Sequence, residues 1–408
     1  MRRTYKYLIL ASSLALYAWF VEWYVFALLF LSIVVIVSNS LMNWLRLTLP
    51  VTSLVMGYIL MKYAYPDSDI KLPIGYSVFA FSGISFIVDS SKTNKCSQNS
   101  LDVLCYLFFF PKMLCGPLVR FTDFSSQLNK ASVPTSTTLY KAFKIFVYAA
   151  FCKFVVADML VQAISYPLAG LNAWMSIIIF SVQLYLDFFA YSNFAIALAI
   201  ICGINLPTSF VAPYSSKTFT EFWRRWNITV SQWLKDYVYI GLGGNRKSAI
   251  RTKQNILLTF FVSGLWHGAS LPFVVWGVLH GFLLIIEKVL LAHINNKNKF
   301  FTYYYQTFVL VSVFLLWQLF RFSSISELTQ FGNVLLLSAS IDSSIVISTL
   351  CAILIVPIID SRKLQHLVFD IPEATKGICY EVSAVCLLFF LTILFMRSPS
   401  INFFYFKF

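Results

Sequence analysis

The chain has 408 residues, of which 59% are hydrophobic and 12% are charged, and its mean hydropathy is +0.75. Ordinary globular domains are about 45–50% apolar and about 25% charged, so the composition excludes a soluble globular protein and predicts an all-α polytopic membrane protein. The formal net charge is +14. It does not indicate nucleic-acid binding, because the cations lie between apolar segments, as the positive-inside bias produces.

Apolar segments recur along the whole sequence. A spanning helix needs about 20 apolar residues, and this length predicts about eleven spans. We interpret the first as an uncleaved helix, because no small-residue cleavage site closes it. Two of the spans are long enough to tilt, or to break within the membrane. The predicted spans are 5–21, 23–45, 48–65, 72–89, 138–164, 171–202, 254–268, 272–293, 302–321, 343–359 and 378–396.

The stretch LDVLCYLFFFPKMLCGPLVRF (101–121) is apolar but interrupted by Pro111, Gly116 and Pro117. These interruptions predict a re-entrant or partly spanning element, which is tolerated at membrane depth only where protein or a water-filled cavity surrounds it. We find no internal repeat, linker or soluble segment, so residues 1–408 are predicted to form one integral-membrane domain.

The eight cysteines have neither CxxC nor CxxH spacing, and most lie within apolar segments. They are interpreted as small hydrophobic residues of helices, so the sequence predicts no metal site and no disulfide framework.

The segment 214–253 carries eight cations and two carboxylates, a net charge of +6. The most cationic loop of a membrane protein faces the cytoplasm. The sequence therefore predicts that this segment lies on the cytoplasmic side, where tryptophan and tyrosine beside lysine and arginine suit an anionic leaflet.

Two of the four histidines, His267 and His280, fall within predicted spans, where an ionisable residue marks a functional site by default. The alternative is a neutral imidazole hydrogen-bonded to a neighbouring helix. His267 lies in SGLWHGAS between two glycines, which permit close approach of another helix or a substrate. Because Pro272 starts a new helix, His280 is predicted to lie on the neighbouring one. His293 and His366 are predicted to be interfacial and solvated, respectively.

In the span 171–202, Gln183, Asp187 and Tyr191 recur every four residues and are predicted to line one helix face. A buried carboxylate needs a partner, and the arginines of 217–246 are candidates. A structural ion pair and a direct role in a site both remain open.

In the middle of the chain, the stretch TFTEFWRRWNITVSQWLKDYVYIGLGGNR places tryptophans, cations and a glycine turn within largely apolar sequence. Trp223 and Trp226 offer large apolar bodies with one donor each, Arg224 and Arg225 can bind phosphates or carboxylates, and Asn227 can donate and accept hydrogen bonds. LGGNR predicts a tight turn. Taken alone, the stretch is also compatible with an amphipathic interfacial helix. The residues alone therefore indicate a site with a buried histidine, an asparagine and an entrance lined by cations and aromatic rings. Such a site is compatible with acyl transfer, proton relay or ion passage.

The stretch EFWRRWNITVSQWLKDYVYIGLGGNR, followed by NILLTFFVSGLWHGASLPFVVWGVLHG, is similar to the signature region of the membrane-bound O-acyltransferase (MBOAT) family, closest to the bacterial branch that contains alginate O-acetyltransferase. LPIGYSVFAFSGISFIVD, FPKMLCGPLVRFTDF, LYLDFFAYSNFAIALAIICGINLP, WQLFRFSSISE and FFYFKF resemble the same branch in order. The resemblance covers nearly the whole chain.

The resemblance implies an MBOAT-like ring of about eleven transmembrane helices with re-entrant segments and a central tunnel. It implies that His267 is the catalytic residue and that Asn227 is its partner, at a position where many bacterial members have histidine. Relatives often have glycine at the position of Ala190 and usually carry a further apolar segment before LYAWF.

The expected activity is an O-acetyltransferase of the bacterial inner membrane, with no bound cofactor and with acetyl-CoA or another cytoplasmic acyl thioester as donor. The acceptor is an exported glycan, reached directly or through a partner protein. His267 is expected to act as general base and Asn227 to orient it or donate to the oxyanion. The alternatives are a proton-coupled transporter or channel and a scaffold subunit. The predicted substrate-binding residues are Trp223, Arg224, Arg225, Trp226, Asp187, Tyr191 and His280.

Overall fold

The computed structural model describes residues 2–21, 24–38, 43–59, 75–93, 99–113, 116–162, 164, 169–268, 270–293, 299–338, 340–369 and 375–395. Every regular element in these ranges is helical, as predicted for an all-α membrane protein. Four of the described helices are long and apolar enough to cross a membrane, judged by length and composition. They are Ser136–Gln162, Gly170–Ile201, Leu271–Leu290 and Phe300–Arg321.

The chain divides into two compact units. The first comprises Met1–Phe143 and Ser192–Thr208. Its helices within the described ranges are α1 (Arg2–Val21), α2 (Tyr24–Ser38), α3 (Asn43–Ile59), α4 (Tyr76–Thr93), α5 (Ser100–Phe108), α6 (Phe110–Met113), α7 (Phe121–Leu128), the beginning of α8 (Ser136–Ala150) and, from Ser192 onward, the end of α10 (Gly170–Ile201).

A buried polar contact fixes α1 in the first unit. The Lys6 ammonium lies 2.5 Å from a carboxylate oxygen of Asp102 on α5 and donates to Asn129, just after α7, over 2.7 Å. Asn129 also donates to Asp102. Because a buried charge is costly unless it is paired and hydrogen-bonded, this contact specifies how α1, α5 and the end of α7 meet.

The predicted break within 101–121 is confirmed. The chain there forms α5, then the short α6, and α7 begins only at Phe121. Lys112 on α6 is fully buried, donates to the Ser82 hydroxyl over 2.9 Å and lies 3.5 Å from the centre of the Tyr106 ring. Re-entry of this element into a membrane stays a prediction.

The second unit comprises Lys144–Tyr191 and Ser209–Phe408. A π-helical turn (Phe151–Ala157) follows α8 directly, and another (Leu234–Tyr239) follows α12. The other described helices of this unit are α9 (Asp158–Gln162), α10 (Gly170–Ile201), α11 (Phe219–Arg225), α12 (Ile228–Trp233), α13 (Ala249–His267), α14 (Leu271–His293), α15 (Lys299–Arg321), α16 (Ile325–Val334), α17 (Ser343–Ile359), α18 (Arg362–Phe369) and α19 (Thr375–Phe395).

Each predicted span falls on a helix where the structure describes it. The predicted span 48–65 corresponds to α3, which begins at Asn43 and is described as far as Ile59. The span 138–164 is one continuous helical segment, Ser136–Gln162, whose middle is π-helical. The span 171–202 is the unbroken α10 of 32 residues. Length and hydropathy therefore located these helices to within a few residues.

Glycines let α13 and α14 pack very closely. A side-chain carbon built on Gly277 would lie 2.2 Å from the carbonyl oxygen of Phe260, and one on Gly264 would lie 2.4 Å from that of Phe273. Such contacts leave no room for a methyl group, so backbone packs directly on backbone. This hairpin positions the C-terminus of α13, which ends at His267.

Candidate functional site

A cavity of about 730 Å³ lies within the second unit. Helices α11, α12, α13 and α14 contribute to its wall. Five of the nine residues predicted for the site line it, namely Trp223, Arg224, Trp226, Asn227 and His267. The structure therefore brings together residues 223–227 and His267, although Asn227 and His267 are 40 residues apart in the sequence.

Asn227 lies at the joint between α11 and α12 in a left-handed backbone conformation, with φ 40° and ψ 54°. Asparagine tolerates this conformation better than most residues with a side chain. The joint is held by two backbone hydrogen bonds: Ile228 N–H to the Ser209 carbonyl (2.8 Å) and Val211 N–H to the Arg225 carbonyl (3.0 Å). Within the described residues, the Asn227 amide makes no hydrogen bond, so it is available to a ligand in the cavity.

Trp223 on α11 and Trp226, which directly follows this helix, pack against other aromatic rings. Trp226 is 4% exposed, and its ring centre lies 4.6 Å from that of Trp317 on α15. The ring of Trp223 meets that of Trp276 on α14 edge-on at 5.7 Å. Such ring pairs add about 0.5–1.5 kcal/mol beyond area burial. They hold the wall of the cavity rigid on the side that carries Asn227.

His267 is the last residue of α13, and its imidazole is packed between aromatic rings. Ring-centre distances are 4.4 Å to Trp266, 4.9 Å to Trp276 and 4.9 Å to Phe320. The imidazole is only partly buried and lines the cavity. The C-terminal end of α13 therefore presents an imidazole to the cavity.

His280 lies on α14, so the prediction that the two histidines occupy neighbouring helices is confirmed. It is fully buried and does not belong to the cavity wall. Its ring lies 5.0 Å from Trp223 and 5.0 Å from Trp276. In the described part of the chain, neither ring nitrogen has a hydrogen-bond partner, unlike the partnered imidazole that the alternative interpretation assumed. The side chains of His293 and His366 lie outside the described residues.

The two arginines of α11 are in different environments. Arg224 is exposed and lines the cavity. Arg225 does not line it. Its guanidinium lies 2.7 Å from the Glu221 carboxylate one turn earlier and donates to the Ser215 hydroxyl over 3.0 Å. The prediction that both arginines face a substrate therefore fits Arg224 alone, because Arg225 is engaged by its own helix.

Asp187 and Tyr191 share a buried face of α10 with Gln183, as the spacing predicted, but neither lines the cavity. Asp187 lies 2.6 Å from the ammonium of Lys153, a contact that is ionic rather than a well-aligned hydrogen bond. Lys153 also lies 2.8 Å from Asp158. This lysine, in the first π-helical turn, is a partner that the sequence analysis did not consider.

Further cavity residues were missed by the sequence analysis. Thr259 and Ser263 precede His267 at intervals of four, so one face of α13 lines the cavity. The same periodicity that was applied to α10 would have found them. Lys235 and Lys288 are exposed at the cavity and, with Arg224, form what we call the cationic rim. No described carboxylate lies within ion-pair distance of the rim.

The turn predicted for LGGNR is confirmed. Gly243 and Gly244 have φ values of 106° and 58°, which residues with a side chain rarely adopt. Asn255 on α13 donates from its amide to the Gly244 carbonyl over 2.8 Å. The turn is thereby fixed to the helix that ends at His267. Within the described ranges, no group of three or more His, Cys, Asp or Glu could hold a metal ion.

Comparison with known proteins identifies relatives that match most of this chain. The family model for membrane-bound O-acyltransferases (MBOAT) matches residues 7–326. A protein from Pseudomonas fluorescens named probable alginate O-acetylase AlgI is 36% identical over 290 residues, which cover 68% of this chain and 57% of that protein. A peptidoglycan O-acetyltransferase from Helicobacter pylori is 30% identical over 59% of this chain and 52% of its own length.

A more distant relative, a teichoic acid D-alanyltransferase from Bacillus subtilis, is 26% identical over 54% of this chain and 60% of its own length. The matches cover between 57% and 66% of the alginate O-acetylase relatives. The matched residues include α11 to α14 and therefore the cavity. This chain belongs to the membrane-bound O-acyltransferase family.

Proposed function

We propose that this protein transfers an acetyl group from a cytoplasmic thioester donor to hydroxyls of a cell-surface glycan. The observation that carries the proposal is that one cavity is lined by His267, by Asn227 and by the three cations of the cationic rim. The names of the relatives support it, since they describe O-acetylation of alginate and peptidoglycan and D-alanylation of teichoic acid. The acceptor class is accordingly an exopolysaccharide or peptidoglycan.

In the proposed reaction, the His267 imidazole accepts the proton of the acceptor hydroxyl as its oxygen attacks the thioester carbonyl carbon. The Asn227 amide donates a hydrogen bond to the oxyanion that develops on the carbonyl oxygen. The carbon–sulfur bond then breaks, and the departing thiolate takes the proton from the imidazolium. The products are an ester and a free thiol, and no other reactant is needed.

The cationic rim suits a donor that carries phosphates, and acetyl-CoA is the donor we propose. Arg224 can bind a phosphate oxygen with two N–H groups, while Lys235 and Lys288 act as point charges. Since such a donor is cytoplasmic, the rim and the segment 214–253 are proposed to face the cytoplasm, in agreement with its net charge of +6. The apolar rings of Trp223 and Trp226 would accommodate the uncharged end of the donor.

Family membership supports the remaining features of the proposal. Residues 1–408 act as one catalytic domain of the bacterial inner membrane, in a ring of about eleven spans with re-entrant segments and a central tunnel. The acceptor hydroxyl reaches the cavity through this tunnel and belongs either to the glycan itself or to a partner acyltransferase outside the membrane, which passes the acyl group on to the glycan. Arg225, Asp187, Tyr191 and His280 support the site from behind its wall.

The test of the activity is His267→Ala. Removing a general base typically costs about 10²–10⁴ in rate, so esterified acetate on the glycan should fall to background in cells that express this variant. Expression in the membrane and thermal unfolding in detergent should match the wild type, because the imidazole is only partly buried. Acetylation close to wild type in a well-expressed variant would falsify the mechanism.

The orientation is tested by placing a cysteine at Lys247, which is exposed and does not cap α13 as Ser248 does. The new thiol should resist an impermeant maleimide in intact cells and react after the membrane is permeabilised. Labelling is compared with the parent protein, which carries eight cysteines of its own. Reaction from outside the intact cell would place the rim on the other side.

A further inference from the structure

Glu287 on α14 is buried, with 2% of its surface exposed, and four donors converge on its carboxylate. One oxygen accepts from the Phe219 N–H (2.5 Å) and from the Tyr305 hydroxyl (3.0 Å). The other accepts from both the N–H (2.9 Å) and the hydroxyl (2.6 Å) of Thr220. No ion pair to Glu287 occurs within the described residues. Its charge is therefore balanced by hydrogen bonds and by the start of a helix.

That helix is α11, whose first N–H groups have no partner inside the helix. The N–H groups of Phe219 and Thr220 bind Glu287, and the N–H of Glu221 binds the hydroxyl of Thr218. The next N–H, that of Phe222, already binds the Thr218 carbonyl within the helix. Glu287 thus satisfies two of the three donors and places a carboxylate at the positive end of the helix dipole.

Helix α11 is only seven residues long. Helices shorter than about 12 residues are marginal on their own, so their position is set by tertiary contacts. The far end of α11 leads through Trp226 into Asn227, and its sides carry Trp223 and Arg224 to the cavity. Whatever fixes the start of α11 therefore also fixes these side chains.

Helix α14 also contacts α11 at a second place, through rings that pack against Trp223. His280 and Trp276 precede Glu287 on α14, and both pack edge-on against Trp223, at 5.0 Å and 5.7 Å between ring centres. Trp276 also packs against His267 at 4.9 Å. The same helix therefore contacts the elements that carry Asn227 and the one that carries His267.

We infer that Glu287 is a positioning residue, which sets the place of α11 so that Asn227 and Arg224 face His267 across the cavity. The inference rests on the proposed function and deepens it. Glu287 itself lines the cavity, but its carboxylate oxygens already accept from two backbone N–H groups and from the hydroxyls of Thr220 and Tyr305, so its role is to position α11. His280 serves beside it as an apolar spacer between α14 and Trp223.

The variant that tests this inference is Glu287→Gln, which preserves shape but replaces one acceptor oxygen by an NH₂ group that faces donors. We expect kcat to fall by about 10-fold to 10²-fold, since misplacement of a catalytic group by about 1 Å can cost 10²-fold. Glu287→Asp keeps the charge and should recover part of this loss. The matched control is Glu327→Gln, which removes a carboxylate from the start of α16, where it accepts from the N–H and hydroxyl of Ser323, far in sequence from the cavity residues. Activity of this control should be unchanged.

A double-mutant cycle with Asn227→Gly separates positioning from a loss of folded enzyme. If Glu287 acts through α11, Glu287→Gln should reduce kcat strongly in the wild type and little when Asn227 has already lost its side chain. A merely structural role would lower the amount of active enzyme by the same factor in both backgrounds. An equal loss in both, or a Glu287→Gln variant within twofold of wild type, would overturn the inference.

A second readout does not depend on activity. The alkylation rate of a cysteine at position 227, Asn227→Cys, by a membrane-permeant maleimide reports where the end of α11 lies. Glu287→Gln should change this rate several-fold, and Glu327→Gln should leave it unchanged. If His267→Ala proves fully active while Glu287→Gln changes the rate, the proposed function fails and the positioning role stands. If the rate is unchanged and His267→Ala is inactive, the reverse holds.

Discussion

The second unit contains two groups of polar side chains that differ in how they are partnered. Around α10, Lys153 lies between the carboxylates of Asp158 and Asp187, and Tyr185 donates to Asp360. Around the cavity, the Asn227 amide has no hydrogen-bond partner within the described residues, and the cationic rim has no described carboxylate at ion-pair distance.

This difference distinguishes polar groups that hold the fold from groups that are available to a ligand. A buried charge with a partner has already exchanged its hydration for protein contacts, and removing one member leaves the other uncompensated. A group that faces a cavity keeps its capacity for hydrogen bonds or charge pairing. Substitutions in the first group should therefore change stability, and substitutions in the second should change activity.

The largest expected effect on stability concerns the α10 group. Lys153→Met leaves Asp187 buried without its cation and should lower the free energy of unfolding by about 3–5 kcal/mol. The double variant Lys153→Met with Asp187→Leu should recover most of this loss, because both charges are gone. The measurement is denaturant unfolding in detergent micelles.

The same double variant tests the earlier prediction that Asp187 binds substrate. If the α10 group only holds the fold, a stable double variant should acetylate glycan near the wild-type rate. A double variant that is stable but inactive would assign Asp187 to the reaction and would remove the distinction between the two groups.

The next largest effect concerns Asn227, where the role of the side-chain amide can be tested separately from the role of the backbone conformation. Asn227→Gly removes the amide but suits the left-handed backbone, whereas Asn227→Ala removes the amide and adds strain. Both should lose about 10²–10³ in rate, as expected for loss of one oxyanion donor, and only Asn227→Ala should also lose stability. Asn227→His should retain measurable transfer.

Glycan-bound acetate at matched membrane expression is the readout for these three variants. A proton conduit would give the opposite pattern, with Asn227→Ala nearly silent and Asn227→His raising flux. Full activity of Asn227→Gly would mean that the residue only shapes the joint between α11 and α12.

A smaller effect concerns the packing of α13 on α14, which places His267. In Gly277→Ala, the new methyl group would lie 2.2 Å from the Phe260 carbonyl oxygen, so the two helices must separate. We expect a loss of about 1–3 kcal/mol in stability, together with reduced activity because His267 moves. Gly281→Ala is the matched control, since its nearest contacts lie at 3.2 Å and 3.3 Å. Equal losses in both variants would exclude backbone contact as the cause.

Features whose signal lies within a single helix could be predicted from the sequence. Hydropathy and Pro272 were sufficient to predict α13 and α14, because each signal lies within the element itself. The pairing of Lys153 with Asp187 and the binding of Glu287 to Phe219 N–H could not be predicted. The partners are 34 and 68 residues apart, and no local pattern encodes such separations.

Arg225 illustrates a different limit of the sequence analysis. Its partner Glu221 is only four residues away, a spacing that favours ion pairs on a helix, so its engagement was predictable. The sequence analysis instead treated both arginines equally, as groups that can bind phosphates or carboxylates. His267 and Asn227 were singled out from the residues themselves, and the resemblance supplied their roles as catalytic residue and partner, since hydropathy does not reveal which side chains share a cavity.

The smallest effect at any one pH concerns Asp360, a partly buried member of the α10 group that follows α17. Burial raises the pKa of its carboxyl to about 6, although the hydrogen bond from Tyr185 and the charge of Arg225 act in the opposite direction. Stability from this group is therefore complete below pH 3.8, the ordinary value, and is lost as the pH rises through about 6. One proton gives a slope of at most about 1.4 kcal/mol per pH unit.

Thermal unfolding between pH 4 and 7 should show this fall in the wild type and a flatter profile in Asp360→Asn. Tyr185→Phe should extend the fall to higher pH, because it removes the donor that stabilises the carboxylate. Superimposable profiles for wild type and Asp360→Asn would mean that Asp360 does not titrate in this range.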